Sequence, residues 1–205
     1  AAHVVKGNEK VKVLITEKNG FVEADVLLTQ ESFDVAILKI AESAGVKHIP
    51  IETGDSEKLY PGSMLCYSGY PFALSANLII HGKSLSTRPI FSKHGMLSWF
   101  IRINGNLEIN EPVLTKTETT DKSIYLGKHL TIDTQANPGI SGGPLFDVDG
   151  KVIGMMAATL NDPHQIALGF GSVPTGLSTA WSIDFACKLL ENKFGKRISE
   201  QNEIG

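Results

Sequence analysis

Apolar and polar residues alternate along the first part of the chain with a period of two. In residues 21–26 the two valines and the alanine fall on one face, while two acidic residues fall on the other. Successive side chains of a strand point to opposite faces, so this pattern predicts a half-buried β-strand. Asn19 and Gly20 precede it and suit a tight reversal, which predicts a hairpin with the apolar segment 11–15.

Further short apolar segments, separated by turn residues, continue the strand pattern along the chain. They lie at residues 35–38, 48–51, 63–67, 78–80, 99–101, 130–132 and 152–155. Many short strands with turns between them favour a sandwich or a barrel. The pattern therefore predicts an all-β fold, with residues 53–61 as the connection between two halves.

Near the C-terminus the apolar spacing changes to that of a helix. One face of this helix would carry Ile183, Ala186, Leu190 and Phe194. Ser182 is predicted to cap its start, and Gly195 is predicted to end it.

The composition allows a substantial core and narrows the functional classes. With 205 residues, 42% of them hydrophobic, the chain is long enough for one large domain or two small ones. No apolar run approaches the ~20 residues of a transmembrane helix, so no transmembrane segment is expected. The formal net charge of -3 gives no electrostatic reason to bind nucleic acid, and no nucleic-acid partner is expected.

The cysteines and histidines give no sign of a metal site. Cys66 and Cys187 are the only cysteines, and both lie in apolar stretches, so free thiols are expected. The six histidines are scattered, without the paired spacing of a local metal site. We therefore predict neither a metal nor a cofactor.

Residues 139–144 read Gly-Ile-Ser-Gly-Gly-Pro, and their glycines can hold a sharp turn that exposes the hydroxyl of Ser141. A serine hydroxyl attacks a carbonyl well only when an adjacent base takes its proton. His3 is the candidate base, because imidazole exchanges protons near neutral pH. Asp34 would accept a hydrogen bond from the other ring nitrogen and so orient the imidazole. The N–H groups of Gly139 and Ser141 are the candidate donors of an oxyanion hole.

Each of these motifs has a simpler explanation when it is taken alone. A serine among glycines is often only a turn, a histidine beside valines is often a packed or surface residue, and Asp34 could merely begin a strand. The order His3, Asp34, Ser141 is harder to explain structurally. It favours a catalytic triad.

Together the motifs resemble those of chymotrypsin-fold (trypsin-like) serine proteases, closest to the protease domain of the HtrA/Deg family. Residues 2–5, Ala-His-Val-Val, resemble the family's histidine motif, and residues 34–40 resemble its aspartate strand. Residues 137–145 resemble its serine motif and differ from Asn-Pro-Gly-Asn-Ser-Gly-Gly-Pro-Leu at Ile140. The turn and strand at residues 149–154 also follow the family pattern.

The resemblance implies two six-stranded antiparallel β-barrels of chymotrypsin type, a C-terminal helix, and the triad in the cleft between the barrels. Residues 1–54 would form the first barrel, and residues 55–205 the second barrel with an insertion near residues 82–128. Together they would form one protease domain. The chain has no initiating methionine, and only two residues precede His3. We therefore expect the first barrel to lack its initial strands here and the parent protein to supply them.

The implied activity is that of a serine endopeptidase, which hydrolyses peptide bonds of peptides or unfolded proteins through an acyl-enzyme. The alternative is a catalytically inactive protein of the same fold that binds or scaffolds. An α/β-hydrolase fits poorly, because its histidine normally follows its serine. The resemblance implies peptide or protein substrates as partners, and regulation through loop ordering or homo-oligomerisation. It would place the protein in the periplasm, another extracytoplasmic space or an organelle.

The same resemblance assigns residues to substrate binding. It puts Gln135 near the base of the primary specificity pocket, where the missing carboxylate disfavours strict cleavage after Lys or Arg. Ala157 and Ala158 would lie on the extended strand that binds substrate, and a modest apolar side chain is expected at the cleavage position. Ile140 cannot pair with a newly cut N-terminus, so activation by that route is not expected.

Overall fold

The structure is a computed structural model, and it describes residues 1–16, 20–41, 50–73, 76–81, 83–87, 90–105, 124–169 and 173–195. Strands dominate these residues. They are β1 (Lys10–Thr16), β2 (Gly20–Gln30), β3 (Val35–Ile40), β4 (Met64–Gly69), β5 (Ala76–Ile80), β6 (Lys83–Thr87), β7 (Phe91–Gly105), β8 (Ile124–Ile132), β9 (Pro144–Phe146), β10 (Val152–Asn161) and β11 (Pro174–Ser182). The helices are α1 (Ala2–Val5), α2 (Pro163–Ala167) and α3 (Asp184–Phe194).

Strands β1, β2 and β3 form an antiparallel sheet in that order. The predicted pairing of β1 with β2 is confirmed, and so is the alternation along β2. Ala24 is buried at 1% exposure, while its neighbours Glu23 and Asp25 are exposed. Within the described residues the first unit is thus a three-stranded sheet. That the first barrel lacks its initial strands stays a prediction. The strand predicted at residues 48–51 lies mostly outside those residues.

The remaining long strands close into a barrel in the order β10, β11, β8, β7, β4, β9. The predicted six-stranded second barrel is confirmed by this topology, and its strand pairs are antiparallel. Its interior is filled by a cluster of buried apolar side chains that includes Leu65, Leu97, Leu130, Ile153 and Met156.

The range predicted as an insertion, residues 82–128, contains part of this barrel. Strand β7 and the start of β8 fall within that range, and they pair with each other and with neighbouring barrel strands. Leu97 on β7 and Leu126 on β8 are each 1% exposed, so core packing fixes both strands. The prediction is corrected for these residues, because buried apolar positions hold them in the barrel. Residues 106–123 lie outside the described part, and the division at residues 54 and 55 stays a prediction.

Helix α3 confirms the predicted C-terminal helix and corrects its start. Gly195 ends it with φ 66°, and the Gly195 N–H donates to the Glu191 oxygen at 2.8 Å. The residue that precedes the helix is Ile183, which makes no side-chain cap. The predicted Ser182 cap is wrong, because this buried hydroxyl accepts the backbone N–H of Lys128 at 2.9 Å instead.

A second apolar cluster joins α3, the first sheet and the barrel. Phe33, Val35, Leu126 and Phe185 are each 1% exposed in this cluster. The ring of Phe33 packs on Trp181 and Phe185, with centroids 5.5 Å and 4.3 Å apart. Because Phe33 directly precedes Asp34, this packing fixes the position of the aspartate relative to the barrel.

Two further sequence predictions can be compared with the described residues. Cys66 and Cys187 are free thiols, as predicted, and both are half-buried. No helix in the described part of the chain is long and apolar enough to cross a membrane.

Candidate active site

His3 and Asp34 are joined by two hydrogen bonds. The Nδ1 atom of His3 lies 2.7 Å from Oδ2 of Asp34, and the His3 backbone N–H donates to Oδ1 at 2.8 Å. The backbone is tied as well, because the Ala2 N–H donates to the Asp34 carbonyl oxygen at 2.9 Å. The carboxylate therefore fixes both the ring and the main chain of the histidine, and it leaves Nε2 as the nitrogen available for proton exchange.

Asp34 reaches this position through an unusual backbone conformation. It follows a single 3-10 turn, Glu31–Phe33, and has φ 50° and ψ 38°, in the left-handed region. Aspartate tolerates this region better than most residues, because its short polar side chain can form local hydrogen bonds. The Asp34 N–H also donates to the Glu31 oxygen at 3.1 Å. The turn aims the carboxylate at His3, while Phe33 stays in the core.

Ser141 lies on the loop that leads into β9, and backbone hydrogen bonds hold this loop. The Gly143 N–H donates to the Ile140 oxygen and the Gly142 N–H to the Met156 oxygen, both at 2.8 Å. Ile140 is only 3% exposed and belongs to the barrel core. The residue that departs from the family's serine motif thus anchors the loop by apolar burial.

Gly139 is required by the geometry of the same loop. Its φ is +95°, a region that side chains rarely adopt, and an added Cβ would lie 2.4 Å from the carbonyl oxygen of Tyr70. Within the described residues the N–H groups of Gly139 and Ser141 have no hydrogen-bond acceptor.

The hydroxyl of Ser141 donates to the backbone oxygen of Ala157 at 3.0 Å. Within the described residues, no hydrogen bond joins Ser141 to His3. Ala157 lies at an irregularity of β10, where Met156 pairs with Ala180 but Ala158 pairs with Thr179. This bulge turns the Ala157 carbonyl out of the ladder and toward the serine.

A cleft of about 500 Å³ brings most of the predicted site residues together. His3, Ser141, Gln135, Ala157 and Ala158 all line it. Two predicted residues are not among the lining residues. Asp34 is hydrogen-bonded to the lining residue His3, and Gly139 lies in sequence between the lining residues Pro138 and Ile140.

Sequence reasoning missed several residues that line the cleft. They are Phe72, Ala136, Asn137, Met156, Thr159, Asn161 and Pro174, together with the loop residues Pro138 and Ile140. Phe72 has φ 55°, its ring is 58% exposed, and its N–H donates to the Pro138 oxygen at 2.6 Å. Asn137, Pro138 and Ile140 belong to the serine motif at residues 137–145, but no local sequence pattern marks the others, because segments distant in the chain bring them to the cleft.

The described residues that line the cleft include no Asp, Glu, Lys or Arg. Two charged side chains contact lining residues, since Asp34 bonds to His3 and Nζ of Lys93 donates to the Gln135 backbone oxygen at 3.3 Å. Apart from His3, the polar groups that line the cleft are amides, hydroxyls and backbone atoms. No group of three or more His, Cys, Asp or Glu residues that could hold a metal ion occurs in the described part of the chain. The arrangement can bind an uncharged side chain and supply a serine, an imidazole and two backbone donors to a carbonyl group.

Comparisons with known proteins bear on this site. A family model described as the trypsin-like peptidase domain matches residues 1–155. The chain is 31% identical over 206 residues to HhoB of Synechocystis sp., whose name assigns it to the serine proteases, and this match covers 100% of the chain and 39% of that protein. It is 30% identical over 186 residues to a protein of Halomonas elongata named as a DegP-like serine endoprotease, which covers 90% of the chain and 30% of that protein.

A third relative, an HtrA-like serine protease of Staphylococcus aureus, is 30% identical over 170 residues. That match covers 82% of the chain and 19% of the relative. The chain thus spans less than half the length of each of these three relatives.

Two solved structures share the fold. An inactive form of Rv3671c from M. tuberculosis H37Rv has a TM-score of 0.58 at 20% identity and covers 100% of this chain and 77% of that one. The HtrA-type protease AlgW with a decapeptide has a TM-score of 0.57 at 21% identity and covers 95% of this chain and 47% of that one.

Proposed function

Because the chain belongs to the trypsin-like peptidase domain family, we propose that it is a serine endopeptidase that works through an acyl-enzyme. Ser141 is the nucleophile, His3 is the general base, and Asp34 orients the imidazole. The observation that carries this proposal is the His3–Asp34 hydrogen bond of 2.7 Å, formed at the cleft that Ser141 also lines. The pair supplies an oriented base beside an exposed hydroxyl.

The first step requires a change of partner at the serine. The Ser141 hydroxyl leaves the Ala157 oxygen, to which it donates at 3.0 Å, and turns toward Nε2 of His3. Nε2 then takes the proton as Oγ bonds to the carbonyl carbon of the substrate. The resulting imidazolium is stabilised by Asp34, which already holds Nδ1.

The negative charge of the tetrahedral intermediate falls on the former carbonyl oxygen. The N–H groups of Gly139 and Ser141 are the proposed donors to it, since they have no partner among the described residues. Preorganised backbone donors of this kind stabilise developing charge without reorganising during the step. His3 then gives its proton to the leaving amine, and the amide C–N bond breaks to leave an ester on Ser141.

Hydrolysis of the ester repeats the sequence with water. His3 takes one proton from water as the water oxygen bonds to the acyl carbon. It returns a proton to Oγ of Ser141 as the ester C–Oγ bond breaks. The acid product leaves, and the serine regains its hydroxyl.

We also propose a modest apolar side chain at the cleavage position of an extended peptide or unfolded protein. The cleft carries no Asp, Glu, Lys or Arg among its described residues, and Gln135 offers only an amide. Ala157 and Ala158 have small side chains that leave the backbone of β10 accessible along the cleft. The structure of AlgW with a decapeptide supports a peptide ligand. Homo-oligomerisation remains part of the proposal, to be tested by light scattering.

Hydrolysis of an unfolded casein and of a peptide series that varies the cleavage residue tests the proposal. The wild-type chain is expected to cleave after small or medium apolar residues, and Ser141→Ala is expected to lose cleavage. Cleavage mainly after Lys or Arg would overturn the specificity. A folded wild-type chain that cleaves nothing would overturn the endopeptidase and favour an inactive binding protein.

A further inference from the structure

One wall of the cleft is held by side chains from four different barrel strands. This wall segment, residues 134–136, presents three consecutive carbonyl groups. The first accepts from the hydroxyl of Ser178 on β11 at 2.6 Å. The second accepts from the hydroxyl of Tyr67 on β4 at 2.8 Å and from Nζ of Lys93 on β7 at 3.3 Å. The third accepts from the hydroxyl of Thr159 on β10 at 2.5 Å. Tertiary contacts therefore determine the course of this segment.

Ser178 makes the most complete of these contacts. Its side chain is fully buried at 0% exposure. Besides donating to the Thr134 oxygen, its Oγ accepts the N–H of Ala136 at 2.6 Å. One hydroxyl thus bridges the backbone on both sides of Gln135. A buried hydroxyl is costly unless it is hydrogen-bonded, and here the bonds fix the wall segment to β11.

The wall segment has little support from the sheet itself. β8 ends at Ile132, and the Thr134 N–H donates to the Ile132 oxygen at 2.9 Å in a local turn. The next residues of the chain are Asn137 and Pro138, which also line the cleft, and then Gly139. A shift of the wall would therefore change the width of the cleft and reach the proposed oxyanion donors.

We propose that Ser178, with Thr159 and Tyr67, positions the wall segment and so sets which side chain fits beside the cleaved bond. The inference rests on the proposed endopeptidase function. None of the three hydroxyls needs to touch the reacting atoms, so these are positioning residues. Their effect is expected in the discrimination between substrates, because a rigid pocket discriminates single methylene groups by roughly 10- to 200-fold.

Ser178→Ala is the most informative substitution, and Ser182→Ala is its matched control. Both serines lie on β11 and are 0% exposed, and each hydroxyl accepts a backbone N–H. The Ser182 hydroxyl, however, accepts the backbone N–H of Lys128, whereas the Ser178 hydroxyl bonds to the wall segment. The two variants therefore lose similar buried hydroxyls in different places.

The measurement is kcat/KM for peptides with Ala, Val, Leu, Met or Phe at the cleavage position, together with a urea unfolding curve for each variant. We expect Ser178→Ala to reduce the ratio between the best and the worst of these peptides by at least about 5-fold, on the scale of a single methylene group. Ser182→Ala is expected to keep the wild-type ratio, even if it loses as much stability as Ser178→Ala does.

A second pair of variants covers the case in which Ser178→Ala does not fold. Thr159→Val keeps the shape of the side chain but removes its hydroxyl, whereas Thr159→Ser keeps the hydroxyl. We expect the valine variant to lose discrimination and the serine variant to retain it.

The outcomes separate the two proposals. Equal ratios in wild type, Ser178→Ala and Thr159→Val, with Ser141-dependent cleavage intact, would overturn the positioning role and leave the endopeptidase standing. Absence of Ser141-dependent cleavage in the folded wild type would overturn the endopeptidase, and the positioning role with it. Lost discrimination in both Ser178→Ala and Thr159→Val, but not in Ser182→Ala, supports the inference.

Discussion

The hydroxyl of Ser141 donates to the backbone oxygen of Ala157 at 3.0 Å, in a structure where His3 is already bonded to Asp34. The proposed base and its orienting group are thus assembled, and only the nucleophile has another partner. Rotation of one serine side chain about its Cα–Cβ bond changes that partner.

The bond between Asp34 and His3 predicts the effect of Asp34→Asn. The amide keeps the size of the side chain but removes the charge that stabilises the imidazolium and favours the wrong tautomer. We expect kcat to fall by about 10⁴-fold, with a much smaller change in KM. Steady-state kinetics on one good peptide substrate measures both values.

A matched control for that variant is Asp25→Asn on the exposed face of β2. Its kcat is expected to stay within about 2-fold of wild type, since surface substitutions away from special contacts usually have small effects. If Asp34→Asn kept more than a tenth of the wild-type kcat, the orienting role of Asp34 would be refuted.

Gly139→Ala tests the proposed oxyanion loop. The added methyl would lie 2.4 Å from the Tyr70 oxygen, so the loop must shift and move its N–H groups. Loss of one such donor typically costs about 10²- to 10³-fold in kcat, and we expect a decrease of that size.

Gly150→Ala separates backbone strain from this effect. Gly150 also has a positive φ, +77°, but an added Cβ there would meet nothing within 4 Å. We expect it to lose about 1 kcal/mol of stability and to retain wild-type kcat. Similar kcat values for the two alanine variants would contradict a role of Gly139 at the oxyanion.

His129 predicts a pH dependence of stability. Its ring packs on Trp181 with centroids 4.4 Å apart, and burial lowers its pKa below the ordinary value. Below pH ~6.5 the unfolded chain binds a proton that the folded chain does not yet bind, so stability falls as pH falls toward the lowered pKa. Titration of His129 changes the unfolding free energy by at most about 1.4 kcal/mol per pH unit. This dependence disappears once the pH is below the pKa of His129 in the folded chain.

Urea unfolding between pH 8 and pH 5 measures this slope in wild type, His129→Gln and His94→Gln. His94 is exposed on β7 and serves as the control. The difference in unfolding free energy between wild type and His129→Gln is expected to shrink as the pH falls. A difference that stays constant with pH would show that His129 does not carry this dependence.

Lys128 predicts a stability effect far from the proposed chemistry. Its side chain is 1% exposed, and Nζ donates to the backbone oxygens of Ser56 at 2.7 Å, Glu57 at 3.3 Å and Leu59 at 3.4 Å. Lys128→Met would leave these acceptors unpaired. At about 1 to 3 kcal/mol for each buried unsatisfied group, we expect a loss of about 3 kcal/mol in unfolding free energy.

Lys58→Met is the surface control, because the Lys58 side chain is 83% exposed and its only close acidic partner among the described residues is Asp55 at 3.8 Å. It is expected to change stability by less than about 0.5 kcal/mol. A loss below about 1 kcal/mol in Lys128→Met would mean that the three-sided contact at residues 56–59 contributes little.

The parts of the fold that sequence could predict depend on local patterns. Alternation along residues 21–26 identified β2, and Gly195 identified the end of α3. The predicted resemblance to trypsin-like proteases is confirmed by the family match over residues 1–155 and by the HtrA-like relatives. The roles of His3, Asp34 and Ser141 stay predictions.

The features that sequence could not predict depend on contacts between distant residues. Ser182 resembles a helix cap locally, but burial gives its hydroxyl the N–H of Lys128 as partner. The bulge that aims the Ala157 carbonyl arises only when β10 pairs with β11. In the same way, Ser178 can bond to residues on both sides of Gln135 only when β11 contacts the wall segment. No pattern in the local sequence predicts such tertiary contacts.

The central claim is that Ser141 is a nucleophile activated by His3. The most direct measurement is covalent labelling of the folded chain with a fluorophosphonate probe, with the adduct located by peptide mass spectrometry. We predict one adduct per chain on Ser141, none on Ser141→Ala, and strongly slowed labelling of His3→Ala. A folded wild-type chain that does not label, or labelling that persists in Ser141→Ala, would contradict the claim.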